Sequence, residues 1–135
     1  MLAGQIQRLV TARRCDLFKL AIPLLHVSNS AAAEGFYCSR LGFQKEFAHR
    51  GDEAKADPCY IGLTRDGVWL HVSSFSGDGV AGGVVNLIVG DVDALHAELV
   101  EKRVRIDAGP VDQTWGSREM YVKDADGNCI RFIEQ

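Results

Sequence analysis

The stretch T-W-G-S-R-E-M-Y-V-K-D-A-D-G-N-C-I-R-F-I-E, residues 114–134, decides how this chain is read. Two apolar runs, 120–122 and 129–133, flank Asp124-Ala125-Asp126-Gly127-Asn128. Asp and Asn bond back to their own backbone and Gly supplies a positive φ, so the pattern predicts a hairpin. In the second run Ile130 and Phe132 alternate with Cys129, Arg131 and Ile133, the period of a half-buried strand. Arg131 therefore either reaches water or lines a cavity.

Working back from the hairpin, the same order of elements occurs twice. Residues 20–27 read as a strand, with Pro23 arguing for an edge or an early position. Ser28, Asn29 and Ser30 are good helix caps, and 31–40 predicts a helix with Ala33, Phe36, Tyr37 and Leu41 on one face. Gly42 ends it. Strands follow over 43–49, 58–63 and 68–75, the last two joined through Arg65-Asp66-Gly67, and the glycine-rich residues 76–83 read as a linker. The second round has a strand over 84–89, a cap at Asp91, and a helix over 92–103 with Val92, Leu95, Leu99 and Val100 as its stripe. A short strand at 104–106, a loop over 107–116 and the hairpin complete it. Asn29 and Asp91 lie 62 residues apart, Gly67 and Gly127 lie 60 apart, and both halves read β-α-β-β-β. Two landmarks with nearly one offset indicate an internal duplication.

Composition sets the outer bounds. With 135 residues and 47% hydrophobic content the chain can build one real core. A formal charge of −3 gives no reason to expect nucleic acid or an anionic membrane as partner. No apolar run approaches the roughly 20 residues that span a bilayer. Cys15, Cys38, Cys59 and Cys129 are far apart with no C-x-x-C pair, so reduced thiols and a cytoplasmic location are expected. Residues 1–19 carry Leu2, Ile6, Leu9 and Val10 among Arg8, Arg13, Arg14 and Lys19. They read as an arm or helix added to the domain, with a transit peptide as the alternative.

Three segments in this order, E-G-F-Y-C-S-R-L-G-F at 34–43, D-V-D-A-L at 91–95 and W-G-S-R-E-M-Y-V-K-D-A-D-G-N at 115–128, together resemble the vicinal oxygen chelate superfamily. The resemblance covers residues 21–135. Ala21-Ile22-Pro23 and Trp115-Gly116 are similar to the small bleomycin-resistance-like members. It implies an α+β fold of tandem βαβββ repeats, 20–76 and 84–135, forming an incomplete barrel within one domain over 20–135. It further implies a ligand groove and a homodimer that completes it. Metal-using members take four ligands from equivalent places in the two halves, which here hold Ile22, His71, Val84 and Arg131. One donor and one cation among four make a poor divalent site, so no metal and no cofactor are expected.

The candidate ligand-binding residues are His71, Arg131, Trp115, Trp69, Arg118, Tyr60 and His26; none is assigned as catalytic. Trp115 is either a wall for a planar ligand or a tryptophan folded over the sheet edge. Arg118 and Glu119 must point to opposite faces, and one contacts a ligand or an ion pair forms. Arg131 either serves the groove or pairs with Glu119 or another acid. His71 is a hydrogen-bonded groove residue or, with a near-neutral pKa, a general base. No nucleophile triad, phosphate-binding glycine loop or carboxylate pair is legible. The function expected is sequestration of a small, partly aromatic molecule without a metal. The alternative is a lyase, isomerase or dioxygenase type of enzyme of the same superfamily using His71 as ligand or base.

Overall fold

The computed structural model describes residues 17–135. The elements are β1 (Leu24–His26), α1 (Ser30–Glu34) continuing as a π-helical turn (Gly35–Arg40), β2 (Gln44–Arg50), β3 (Cys59–Arg65) and β4 (Val68–Ser73). After the linker come β5 (Val84–Ile88), α2 (Val92–Glu101), β6 (Ala108–Asp112), β7 (Arg118–Lys123) and β8 (Cys129–Glu134). The proposed arm falls outside the described residues except at its end, where Leu17 and Phe18 are exposed.

The strands form two open four-stranded sheets, ordered β1-β4-β3-β2 and β5-β8-β7-β6. In each, the first strand is parallel to the last and the other pairs are antiparallel. Leu24 pairs with His71 and Asn86 with Arg131. The spacings that separate the caps and the turn glycines thus carry one register onto the other. The duplicated α+β architecture expected from the sequence is the architecture present.

Local chemistry sets the helix starts. Asn29 Oδ1 accepts from the Ala32 N–H at 2.9 Å and Asp91 Oδ1 from the Ala94 N–H at 2.9 Å, each satisfying a donor the helix leaves unpaired. Period-2 alternation then divides each sheet into a covered and an open face. Leu25, Ile61, Leu63, Leu70 and Val72 of the first sheet meet Tyr37 and Leu41; Met120, Val122, Ile130 and Phe132 of the second meet Val92 and Leu99. All belong to one core cluster. The alternate positions, among them Tyr60, Trp69, His71, Tyr121 and Arg131, lie on the faces that no helix covers.

The halves are tied at both ends of their junction. The Tyr37 hydroxyl donates to Asp124 Oδ2 at 2.7 Å, and Asn128 Nδ2 donates to the His26 carbonyl at 2.8 Å. At the other end Arg65 grips Glu98 through two bonds of 2.7 and 2.8 Å. Burial and the Asp124 carboxylate push the Tyr37 phenol far above its ordinary range. Tyr37→Phe is expected to lower stability by about 1–2 kcal/mol, since a charged acceptor loses one buried donor. Urea denaturation of the variant measures it; an unchanged midpoint would remove this bond from the account of the junction.

Four expectations are corrected. The first strand begins only at Leu24, because Pro23 has no N–H to offer, although its carbonyl accepts from His71 N at 3.0 Å. The first helix widens from Gly35 onward, where Leu41 N reaches Phe36 O at 2.9 Å. Val100 is exposed at 52%, outside the stripe formed by Val92, Leu95 and Leu99. The strand placed at 104–106 is instead β6, around Pro110. It lies at the sheet edge with a register shift between Ala108 and Val111, the setting in which a strand proline is tolerated.

Candidate functional site

On the open face of the first sheet, β3 and β4 place Tyr60, Trp69 and His71 together. The Tyr60 hydroxyl lies 2.6 Å from His71 Nδ1. The ring of Trp69 meets His71 edge-on at 5.8 Å, and Tyr60 meets it at 5.2 Å. Phe47, which the sequence reading passed over, completes the group. It stacks on Tyr60 at 6.2 Å with planes 8° apart and meets His71 edge-on at 5.4 Å. Its ring lies across Gly62, where any Cβ would be driven into the ring. Burial lowers the His71 pKa and raises that of Tyr60, with Asp78 adding to the latter. His26 pairs with Ser73 further along β1, beside Gly79, and the ring contacts that join the other four do not include it.

The second sheet holds a different chemistry. Glu119 is buried at 4% exposure and accepts from Ser117 Oγ, from Trp115 Nε1 at 2.9 Å and from the Tyr121 hydroxyl at 2.6 Å. The Arg131 guanidinium sits 5.0 Å from the centroid of the Tyr121 ring, within cation–π range. Trp115 keeps 68% of its surface exposed, so its indole is pinned at the nitrogen and open on its flanks. A cavity of about 500 Å³ lies beside it, lined by Asn86, Ile88, Trp115, Ser117, Glu119 and Ile133.

Arg118 is turned the other way. It bonds Asp93 of α2 through two contacts of 3.0 Å and Asp112 at 3.2 Å, so it braces β6 and α2 and does not join the other candidates. Glu119 is the member of that adjacent pair on the open face of the sheet. The signal for it was present: Ser117, Glu119 and Tyr121 alternate, which puts two hydroxyls on the side of the acid. Phe47 had a weaker signal, a bulky ring next to a strand glycine.

The Ser117 hydroxyl, then Tyr121 and Trp115, hold Glu119 below the usual carboxylate range, with the charge of Arg131 assisting. A carboxyl depressed by folding stabilises above its ordinary value of 4.5 and loses that contribution as pH falls through the folded value. The indole N–H resonance of Trp115 is therefore expected to shift on acidification with a midpoint below 4.5. A midpoint at or above that pH in a proton–nitrogen correlation spectrum would count against the clamp.

Among the described residues, His26 Nδ1, His71 Nε2 and Arg131 Nε are buried and find no hydrogen-bond partner. Among the described residues no group of three His, Cys, Asp or Glu side chains is placed to hold a metal ion. Of the four positions that the resemblance implies, only His71 carries a metal donor: Val84 is apolar and exposed, Ile22 precedes β1, and Arg131 brings a positive charge. That donor set does not fit a divalent centre. No helix among the described residues is long and apolar enough to cross a membrane.

Two open sheets built from tandem βαβββ repeats define the class of α+β fold. The family model for the glyoxalase superfamily matches residues 10–135, and the chain belongs to that superfamily. No curated protein gives a significant sequence match. Among solved structures, the chain is similar to the bleomycin-binding protein of Streptomyces verticillus complexed with copper(II)-bleomycin. Identity is 28%, coverage 85% of this chain and 94% of that one, and the TM-score 0.64. It is similar as well to a glyoxalase/bleomycin resistance protein/dioxygenase superfamily member from Sphaerobacter thermophilus, at 25% identity, 88% and 98% coverage and a TM-score of 0.69. TnmS3, an antibiotic binding protein from Streptomyces sp. CB03234, shares the fold at 24% identity, 88% and 97% coverage and a TM-score of 0.71.

Proposed function

We propose that the protein binds a small, partly aromatic molecule in a groove made by the open sheet faces, without a metal, and that a second copy of the chain completes that groove. One observation carries the reading. Large apolar side chains that a folded domain ordinarily buries are exposed on these faces, Leu24, Phe47, Val84 and Ile88, with Trp115 exposed in the turn before β7, alongside unpartnered polar atoms of His71 and Arg131. Apolar walls with a few convergent polar groups are what a small-molecule site requires. The hydrogen bonds and ring contacts of the two clusters stay within their own sheets, which accords with each being half of a site. Similarity to a bleomycin-binding protein supports the ligand class.

The test pairs two measurements. Sedimentation equilibrium is expected to give a dimer mass, and titration with bleomycin and with neutral naphthalene derivatives is expected to quench tryptophan fluorescence saturably. A monomer that quenches with none of them would end the proposal. Trp115→Ala is expected to weaken binding about tenfold, from loss of stacking area and of aromatic contact. An unchanged affinity would return Trp115 to a role at the sheet edge.

A further inference from the structure

We infer that His71 is a fixed hydrogen-bond donor, and that its half-site takes a neutral carbonyl oxygen carried on an aromatic ligand. The inference rests on the binding reading above and narrows it. It begins with the contact between the Tyr60 hydroxyl and His71 Nδ1 at 2.6 Å. That separation suits a hydroxyl donating to an imidazole nitrogen better than an imidazole N–H donating to oxygen, whose usual separation is about 2.9–3.0 Å. Tyr60 is kept protonated by burial and by Asp78, so it has a proton to donate. Burial keeps the imidazole neutral. A neutral ring with an acceptor at Nδ1 carries its single proton on Nε2.

The Nε2 atom is buried, and among the described residues it has no partner. A buried donor without an acceptor is disfavoured, and a ligand oxygen would satisfy it. The surroundings narrow that oxygen further. Phe47, Tyr60 and Trp69 all meet the imidazole edge-on, so what accompanies the oxygen faces aromatic surface. A neutral imidazole offers no charge to offset a buried carboxylate. Arg131, on the other sheet, lies over Tyr121 and its charge acts on the Glu119 carboxylate, which meets part of that charge. A neutral carbonyl fits these conditions; an anion or an ammonium does not. The same proton placement leaves Nε2 without a lone pair, so His71 cannot take a proton directly from a ligand held at that atom.

Two experiments on the full chain test this. The first is a long-range proton–nitrogen correlation spectrum of the imidazoles at pH 7, with His71 assigned by His71→Gln. His71 is expected in the Nε2–H form, and Tyr60→Phe is expected to convert it to an exchanging mixture. An Nδ1–H or doubly protonated ring would overturn the inference. The second compares 2-acetylnaphthalene with 2-ethylnaphthalene and 1-(2-naphthyl)ethylamine, which differ at the group presented to Nε2. The ketone is expected to bind at least tenfold tighter than either, an advantage lost in His71→Phe and reduced in Tyr60→Phe. Equal affinity of ketone and hydrocarbon would overturn the carbonyl assignment and leave the binding reading standing. Binding of none of the three would overturn both.

Discussion

Replacing Asn128 by Ala is expected to lower the free energy of unfolding by about 3–5 kcal/mol, a large share of what holds a domain of this size together. Asn128 is fully buried, and its side chain joins three separate segments. Its Oδ1 accepts from the N–H groups of Gly82 and Gly83 at 3.0 and 2.9 Å. Its Nδ2 donates to the His26 carbonyl at 2.8 Å and to Asp124 Oδ2 at 2.9 Å. Truncation leaves these groups without partners in a place where a replacement side chain supplies none, at about 1–3 kcal/mol for each buried group left unpaired. The loss is not confined to the turn, because β1, the linker and β8 all lose a tether. Urea unfolding followed by circular dichroism measures it, and a loss below about 1 kcal/mol would show that water replaces the amide without difficulty.

Gly109→Ala is expected to cost more than about 3 kcal/mol, and its comparison with Gly127→Ala shows why. Both glycines have φ of +81°, so an alanine at either position meets the same left-handed backbone penalty of about 1–2 kcal/mol. At Gly127 the added Cβ meets nothing within 4 Å. At Gly109 it is driven into the Glu119 carbonyl oxygen and lies 3.1 Å from the Met120 Cα. Neither neighbour is the yielding end of a long side chain. The edge strand must separate from β7, which disturbs the strand that carries Glu119 and its hold on Trp115. The difference between the two variants isolates the steric part. Equal stabilities would mean that β6 shifts freely on its neighbour.

Much of the framework was readable before the structure because it depends on local periodicity. Alternation in 129–133 separated Ile130 and Phe132, both buried, from Arg131 on the open face. The offsets of 62 and 60 residues reappear as the register pairs Leu24–His71 and Asn86–Arg131. What stayed hidden depends on tertiary placement. Alternation states that Arg118 and Glu119 point apart, but only the position of α2 decides which one faces away from the helix, and Asp93 takes Arg118. Asn128 reads as a turn residue, and nothing near it in sequence discloses that its amide ends at His26. The strand at Ala108–Asp112 was missed because a proline and a glycine argue against a strand unless the edge position is known.

The separateness of the two sheets bears on how the chain acquires its structure during synthesis. Each sheet draws its strands from one half alone, so strand pairing involves two short closures in place of one long one, and the entropy of closure grows with loop length. Residues up to Ser73 contain every strand of the first sheet, and domains tend to form from the N-terminal side as the ribosome releases them. A nascent chain can therefore assemble the aromatic cluster around His71 before Glu119 and Arg131 are translated. The bonds from Tyr37 to Asp124 and from Asn128 to His26 have to wait for the final hairpin, which is translated after both of its partners.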